Sequence, residues 1–362
     1  MKTLFLGDVC PTKVTGELFA KKDIKTLFSD TVSLFCGNDF NFVNLECAIT
    51  ESDEAIEKYG PNLKGPYETA EVLKELGVDC CGLSNNHVFD FGTSGALDTL
   101  KHLKKNNLAY TGFGKDYNES RKNFIFEKDG EKICVIAVCE HEYSYALEDR
   151  MGSRPYDEYD TMEDIRAAKK TADRVIVIYH GGKEHCRYPS PRLLKLCRAM
   201  AKNGADMVLC QHSHCVGAYE NYEGCHILYG QGNFNFVGHL DIEEWKTSLA
   251  VKYDTKSGKI EFAPIKMTDC GIEIAKGKDA EKIITGFEKR SGEVLNGEWI
   301  KGWRAFCESM KDVYYDAVAK AFAPGSTKID DGLFGHYLDC EAHTDVWREL
   351  FKTANHTNCK GE

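Results

Sequence analysis

Residues 80–92 have the sequence CCGLSNNHVFDFG, in which a short apolar run passes directly into two asparagines and a histidine. The apolar part, CCGLS (80–84), predicts a buried strand. Asn86, His87 and Asp90 follow it at once. Ligands of open α/β sheets bind at the carboxyl ends of the strands. This stretch therefore predicts a strand that delivers polar side chains to a binding site.

The same arrangement recurs along the chain, because other predicted strands also end in polar residues that can bind metals. The pairs of strand and polar residue are 1–6 with Asp8, 41–47 with Asn44 and Glu46, 174–180 with His180, and 205–210 with His212 and His214. Amphipathic stretches at 67–79, 94–107 and 191–204 predict helices between these strands. Strands that alternate with helices predict an α/β layered fold with a largely parallel sheet. From about residue 279 the pattern is helical and aromatic, and we expect this part to pack on the core.

Composition excludes several classes of protein. The 362 residues are 42% hydrophobic and 28% charged, which is typical of a folded soluble chain. With 46 basic and 57 acidic residues the net charge is −11, so we expect no nucleic-acid partner.

Many of the sixteen cysteines lie in apolar runs, such as Cys134 and Cys210, and predict reduced, buried thiols. The opening MKTLFLGDVC is too short for a signal-peptide core, and no run has the roughly 20 apolar residues of a membrane span. We therefore expect a cytoplasmic protein.

Asp, Glu, Asn and His that converge on one sheet edge are what a site for one or two divalent metals needs. Carboxylates supply charge and can bridge two ions, while neutral imidazoles supply directional nitrogen ligands. Two metals a few ångströms apart can activate water and hold a phosphoryl or acyl oxygen. A single strand-end histidine is usually structural, but five such elements in order are hard to explain by chance.

At these residues the sequence resembles a known family. The matching motifs are Gly7-Asp8, Val43-Asn44-Leu45-Glu46, Ser84-Asn85-Asn86-His87 with Asp90 and Gly92, His180-Gly181-Gly182-Lys183-Glu184, Gly204-Ala205-Asp206, His212-Ser213-His214 and Gly232-Asn233-Phe234. They resemble the bacterial capsule-synthesis CapA family, the poly-γ-glutamate biosynthesis proteins of the calcineurin-like metallophosphoesterase superfamily, over residues 1–240. The resemblance implies a four-layer α/β/β/α sandwich with metals at one edge. We expect this domain to span residues 1–270 and a helical extension, 271–362, to pack on it.

The resemblance also implies roles for individual residues. It implies one or two divalent metal ions (Mn, Zn, Fe or Ca) held by Asp8, Glu46, Asn86, His180, His212 and His214. His87 would be the general acid or a contact to the transition state, helped by Asp90. The superfamily usually has Asp-x-His at the first strand, whereas this chain has Asp8-Val9-Cys10. Cys10 is therefore either a thiolate ligand or, as we favour, a small buried residue.

Further polar residues are candidates for binding a substrate, which we expect to be a small molecule or peptide and anionic. They are Asn44, Glu140, His141, Glu184, Arg187 and Asn233. The alternative for Glu140 and His141 is a solvated loop, and for Asn233 a turn. Arg187 suits a carboxylate or a phosphate. We expect His336, His343 and His356 at the surface, because they follow no predicted strand.

Three functions are compatible with these residues. The first is a metal-dependent hydrolase of a phosphoester or a γ-glutamyl amide, in capsule or poly-γ-glutamate metabolism. The second is a metal-independent acid/base enzyme on the same fold, similar to a peptide epimerase. The third is a non-catalytic subunit of a polymer-synthesis complex that docks through its C-terminal helices.

Overall fold

A computed structural model of the chain describes residues 1–239 and 241–356, with side chains to residue 352. The strands are β1 (Lys2–Val9), β2 (Phe40–Leu45), β3 (Ala48–Ile49), β4 (Lys64–Gly65), β5 (Cys80–Gly82), β6 (Ala109–Thr111), β7 (Phe113–Gly114), β8 (Phe124–Lys128), β9 (Glu131–Cys139), β10 (Gly152–Ser153), β11 (Arg174–His180), β12 (Met207–Gln211), β13 (Tyr219–Tyr222), β14 (Cys225–Leu228), β15 (Asn233–Asn235), β16 (Thr247–Asp254), β17 (Lys259–Met267) and β18 (Ile272–Ile274). The α-helices are α1 (Gly16–Ala20), α2 (Ile24–Phe28), α3 (Glu68–Glu75), α4 (Gly92–Lys105), α5 (Tyr117–Ser120), α6 (Glu158–Lys169), α7 (Pro191–Lys202), α8 (Gly277–Asn296), α9 (Trp299–Ala321), α10 (Lys328–Asp339) and α11 (Glu341–His356).

Two β-sheets form the centre of the molecule. The first has eight strands in the order β18-β17-β16-β1-β2-β5-β6, with β15 also paired to β1, and the second has six in the order β13-β14-β12-β11-β9-β8. The central strands of both run parallel, as predicted. The edge strands β8, β13 and β16–β18 pair antiparallel. The single, largely parallel sheet suggested by the strand and helix order is thus replaced by two mixed sheets.

The two sheets face each other across a shared apolar layer. Phe5 and Phe42 of the first sheet pack in one cluster with Ile178 and Leu209 of the second. Because side chains alternate between the two faces of a strand, the neighbouring residues of each strand point outward, toward helices. The cluster that contains Phe5 therefore lies between the sheets.

Helices cover the outer face of each sheet. On the first sheet, Val43 packs in a cluster with Leu103 of α4. On the second, Val177 packs with Ile165 of α6 and Leu196 of α7. The layer order is α/β/β/α, and the fold implied by the family resemblance is confirmed.

The C-terminal helices pack on this sandwich. Helices α9, α10 and α11 share an apolar cluster that contains Trp303 and Tyr314, and Cys186 from the loop after β11 belongs to the same cluster. Trp303 is fully buried, as is expected of an aromatic stretch that packs on the core. The first sheet ends at Ile274, just beyond residue 270, where we expect the domain boundary. The division into two domains remains a prediction.

The described part of the chain contains neither a disulfide bond nor a helix that could span a membrane. The cysteines there are free thiols, and only Cys36 and Cys270 among them are not buried, which agrees with the predicted reduced packing. Within the same residues we find no helix whose length and apolar character would let it cross a lipid bilayer.

Candidate metal centre

Strand register brings the first candidate ligands together. Asp8 of β1 pairs with Asn44 of β2 on one side and with Asn233 of β15 on the other. The Asn44 amide Nδ2 donates to Asp8 Oδ1 at 2.7 Å and lies 3.2 Å from His180 Nδ1. The carboxyl ends of strands from both sheets therefore meet at one edge, as the sequence predicted.

Gly7 allows this approach. A Cβ atom at position 7 would lie 1.9 Å from the carbonyl oxygen of Gly232. No side chain fits there, so only glycine lets β15 lie beside β1 and bring Asn233 next to Asp8. The Gly-Asp motif is thus a steric requirement of the site.

Among the candidate ligands, Glu46 has the surroundings that best fit a bound cation. Its side chain is completely buried, and neither carboxylate oxygen has a hydrogen-bond partner. Oε1 lies 3.2 Å from His180 Nε2 and 4.0 Å from His214 Nε2. Burial raises the pKa of this carboxyl group to about 7. A buried carboxylate without donors is costly unless a positive charge neutralises it, so the residues present fit a metal ion.

Asp8 has a similar environment. It is completely buried, and burial together with the charge of Glu46 raises its pKa to about 7. Its Oδ2 accepts the backbone N–H of His212 at 3.3 Å and lies 3.6 Å from His214 Nδ1. Two carboxyl groups that each resist ionisation are what a divalent cation would stabilise in the charged form.

The turn His212-Ser213-His214 presents two imidazoles from one backbone segment. His212 has a φ of 80° and His214 a φ of 54°, both in the left-handed region that non-glycine residues rarely adopt. His214 Nδ1 donates to Asn233 Oδ1 at 2.8 Å, which leaves Nε2 as the ligand nitrogen. Donor atoms of Glu46, His212 and His214 lie within 4.8 Å of one another. Strained backbone held in place by such contacts is common at functional sites.

The histidines differ in charge. Burial lowers the pKa of His180 to about 3 and that of His214 well below its usual range, so both are neutral, which is the form that binds metals. Burial also opposes protonation of His212, but the Glu142 carboxylate, 3.3 Å from Nε2, raises its pKa to about 10. The protonated His212 imidazolium thus forms an ion pair with the Glu142 carboxylate. It was not among the residues singled out from the sequence.

Asn86 connects His180 with Glu142, the partner of His212. Its Oδ1 lies 3.0 Å from His180 Nε2, and its Nδ2 donates to Glu142 Oε2 at 2.8 Å. All six predicted metal ligands therefore lie in one connected, buried cluster at the edge of the sandwich.

His87 and Asp90 lie beside this cluster and are joined by a lysine. His87 Nδ1 and Asp90 Oδ2 are 2.7 Å apart, and Asp90 also accepts the backbone N–H of Leu63 at 2.7 Å. The Lys58 ammonium pairs with Asp90 and lies 3.2 Å from His87 Nδ1. Lys58 is almost fully buried. Sequence reasoning missed it because it lies in the loop before β4, with no strand end or motif to mark it.

A cavity of about 590 Å³ opens at the cluster, and the C-terminal helices form part of its wall. Its lining residues are Lys58, Tyr59, Gly60, Pro61, Asn86, His87, Glu142, Tyr143, Lys183, Glu184, His185, Phe306, Met310, His336, Tyr337 and His343. The expectation that His336 and His343 lie at the surface is wrong, because α9, α10 and α11 fold over the site. His343 is buried and His336 is half-buried. The side chain of His356 lies outside the described residues.

Comparison with known proteins identifies the family. A family model described as Bacterial capsule synthesis protein PGA_cap matches residues 2–237. The chain belongs to this family.

PGA biosynthesis protein CapA of Bacillus subtilis (strain 168) is 29% identical over 276 residues, which cover 72% of this chain and 70% of that protein. Capsule biosynthesis protein CapA of Bacillus anthracis is 27% identical over 241 residues, 64% of this chain and 58% of that protein. A solved structure, 5'-nucleotidase from Candida albicans SC5314, aligns over 86% of this chain and 58% of its own with a TM-score of 0.43 and 10% identity.

The family resemblance inferred from the strand-end motifs is confirmed by this match. In this PGA_cap family member, Asn44 and Asn233 form hydrogen bonds with the candidate ligands Asp8 and His214, and Glu184 lines the cavity. Their parts in binding a substrate remain predictions.

Glu140 and His141 contact the start of α11. The Glu140 carboxylate accepts the Tyr179 hydroxyl at 2.8 Å and the backbone N–H of Ala342 at 3.0 Å. His141 Nδ1 lies 2.6 Å from Glu341 Oε1. Both side chains therefore join the core to the C-terminal helices. A substrate role for either residue remains a prediction.

Arg187 lines a different cavity of about 390 Å³, together with Lys246 and Arg290. It pairs there with Glu244 at 3.2 Å. The structure thus separates Arg187 from the residues that line the larger cavity at the metal centre.

Cys10 lies in the apolar layer beneath the site. It belongs to the same cluster as Val9 and Leu45, and its Sγ donates to the Pro11 carbonyl at 3.4 Å. Burial raises the pKa of its thiol well above the usual value. Cys10 is thus buried with a backbone partner, and the choice between a small buried residue, which we favour, and a thiolate ligand remains a prediction.

Proposed function

We propose that this PGA_cap family member is a metal-dependent hydrolase of an anionic substrate, either a phosphoester or a γ-glutamyl amide. The observation that carries the proposal is the Glu46 carboxylate, which is buried without hydrogen-bond donors beside His180 and His214. The names of the relatives, which refer to PGA and capsule biosynthesis, favour a γ-glutamyl substrate in capsule or poly-γ-glutamate metabolism.

Six residues would hold one or two divalent cations: Asp8, Glu46, Asn86, His180, His212 and His214. A set with three imidazoles favours Mn, Zn or Fe over Ca, which prefers oxygen ligands. When bound, the cation supplies Lewis-acid activation of water and of a substrate oxygen.

The other residues of the cavity supply proton transfer and charge. Asp90 engages Nδ1 of His87, so Nε2 is the nitrogen that can give a proton to a leaving group. Lys58 keeps Asp90 in place through its ion pair. Lys183 lines the cavity and adds a positive charge that suits a carboxylate or phosphate.

A second candidate is the metal-independent acid/base enzyme. It is favoured by one observation, the pKa values of about 7 of Asp8 and Glu46, which suit proton transfer near neutral pH. The third candidate, a non-catalytic subunit, would use the same fold without turnover.

Metal content and activity, measured together, distinguish the three. We expect the purified protein to contain a divalent metal and to hydrolyse one member of a panel of phosphoesters and γ-glutamyl peptides. Chelation should abolish turnover, and Glu46→Gln should lose both metal and at least about 100-fold in rate. Glu261→Gln, an exposed residue paired with Lys259, is the control and should change neither.

Two results would contradict the proposal. Full activity of a metal-free sample would favour the acid/base enzyme. A metal-loaded protein that turns over nothing in the panel but retains a partner in pull-down would favour the non-catalytic subunit.

A further inference from the structure

A second group of metal-binding side chains lies in the C-terminal helices. His336, Cys340 and His343 have the spacing His-x3-Cys-x2-His. His336 is near the end of α10, Cys340 lies between α10 and α11, and His343 is in the first turn of α11. All three residues therefore lie at the junction of the two helices, and His336 and His343 line the main cavity together with Glu142.

The distances among these groups fit a single ion. One donor atom each from Glu142, Cys340 and His343 lies within 4.8 Å of the others, and all three residues are buried. Cys340 Sγ lies 3.2 Å from Glu142 Oε1. The rings of His336 and His343 have centroids 4.5 Å apart, so His336 is the neighbouring residue that could supply a fourth donor after a side-chain adjustment.

Of the two carboxylates beside Cys340, Glu142 is the one available to a cation. The neutral Cys340 thiol lies 3.2 Å from Glu142 Oε1 and 3.7 Å from Glu140 Oε2. Glu140 has Arg192 as a cationic partner. Glu142 pairs with His212, a residue that we assign to the other metal centre. This step rests on the proposed function, because Glu142 loses that partner when His212 binds its own metal.

We propose that Glu142, Cys340 and His343, with His336 as the fourth ligand, form a zinc site that fastens the C-terminal helices to the wall of the main cavity. Zinc prefers four tetrahedral ligands drawn from Cys sulfur, His nitrogen and carboxylate oxygen. On binding, a Zn–S bond forms and the Cys340 proton leaves to solvent.

A hydrogen bond outside the ligand set supports this assignment. The Tyr314 hydroxyl lies 2.6 Å from His343 Nδ1. Histidine ligands of metals nearly always have such a partner on the ring nitrogen that does not bind the ion. Nε2 of His343 is then the nitrogen available to zinc. None of its four ligands belongs to the Asp8–Glu46 centre, and Glu142 contacts that centre through His212 and Asn86.

Cobalt substitution tests the proposal without an activity assay. The full-length protein is stripped of metal and titrated with Co²⁺, whose thiolate complexes show a near-ultraviolet charge-transfer band, and zinc is counted in parallel on Zn²⁺-loaded samples. We expect the band in the wild type and in His214→Ala, which damages only the other centre. Cys340→Ser should lose the band and about one zinc per chain.

Cys307→Ser is the matched control, because Cys307 is buried like Cys340 and lies in the apolar cluster of the C-terminal helices. It should keep both the band and the zinc. His343→Gln provides a second variant if Cys340→Ser does not fold, as judged by circular dichroism, and should weaken zinc binding at least about tenfold. A wild type without the band, or a band that persists in folded Cys340→Ser, would overturn the proposal. Failure of the hydrolase proposal alone would leave these results unchanged.

Discussion

At the scale of single residues, Lys58 has the least expected role. Its ammonium group is buried against Asp90 and His87, and a buried charge of this kind persists only when it is paired. Asp90 is held by the Lys58 ammonium and by the backbone N–H of Leu63. The orientation of His87 therefore depends on a network of three side chains, those of His87, Asp90 and Lys58. Lys58 is thus a positioning residue for the proposed general acid.

We predict that Lys58→Met lowers kcat about 10- to 100-fold and changes KM less, since proton transfer by a well-placed side chain contributes about 10²- to 10⁴-fold. Metal content should stay the same, because Lys58 does not contact the proposed ligands. Steady-state kinetics with metal analysis is the measurement, and Lys21→Met, which removes an exposed pair with Glu17, is the control. An unchanged kcat would exclude a positioning role.

At the scale of elements, the close contact between β1 and β15 decides whether the site forms. Gly7→Ala would place a Cβ atom 1.9 Å from the Gly232 oxygen. We predict a loss of about 1–3 kcal/mol in the free energy of unfolding, typical of overpacking in a core, together with weaker metal binding as Asn233 moves away from Asp8. Urea unfolding measures the first effect and metal titration the second.

Gly16→Ala is a suitable control for this change. A Cβ at Gly16 would have no neighbour within 4 Å, and the residue begins α1. Its stability should equal that of the wild type within about 0.5 kcal/mol. If the two alanine variants were equally stable, β15 would not require a glycine beside it.

At the scale of the whole molecule, the C-terminal helices join the core through side chains some 200 residues away in sequence. One such contact, His141 with Glu341, makes the attachment dependent on pH. The hydrogen bond to Glu341 raises the pKa of His141 above 6.5, even though burial opposes this. The pair therefore contributes its full stability below pH 6.5, the pKa of His141 in the unfolded chain. This contribution is lost as the pH rises through the higher pKa of His141 in the folded protein.

We accordingly predict that Glu341→Gln costs about 1 kcal/mol of unfolding free energy at pH 6 and clearly less at pH 9. Urea unfolding of wild type and variant at the two pH values gives the difference. His141→Gln should show the same dependence. A cost that is equal at both pH values would mean that the pair contributes nothing through its charge.

The sequence predicted which candidate ligands lie together better than it predicted the cavity around them. Asp8, Glu46 and His180 lie at or directly after the carboxyl ends of strands, and parallel register carries the ends of neighbouring strands to one edge, so local patterns suffice to group them. Glu142, Lys58 and His343 come together through loops and helices that meet only after folding, and no local pattern encodes such long-range contacts. Periodicity likewise marks each strand but not the sheet that it joins, and the two-sheet arrangement followed from the family resemblance alone.

The wall made by α9, α10 and α11 has a consequence for how such proteins diverge. The family model ends at residue 237, so these helices lie outside the segment that it describes. Part of the cavity wall, formed by Phe306, Met310, His336, Tyr337 and His343, is therefore encoded outside the family segment. Relatives that keep the same strand ends but carry a different tail should admit differently shaped substrates, and exchanging tails between relatives is a direct route to new selectivity.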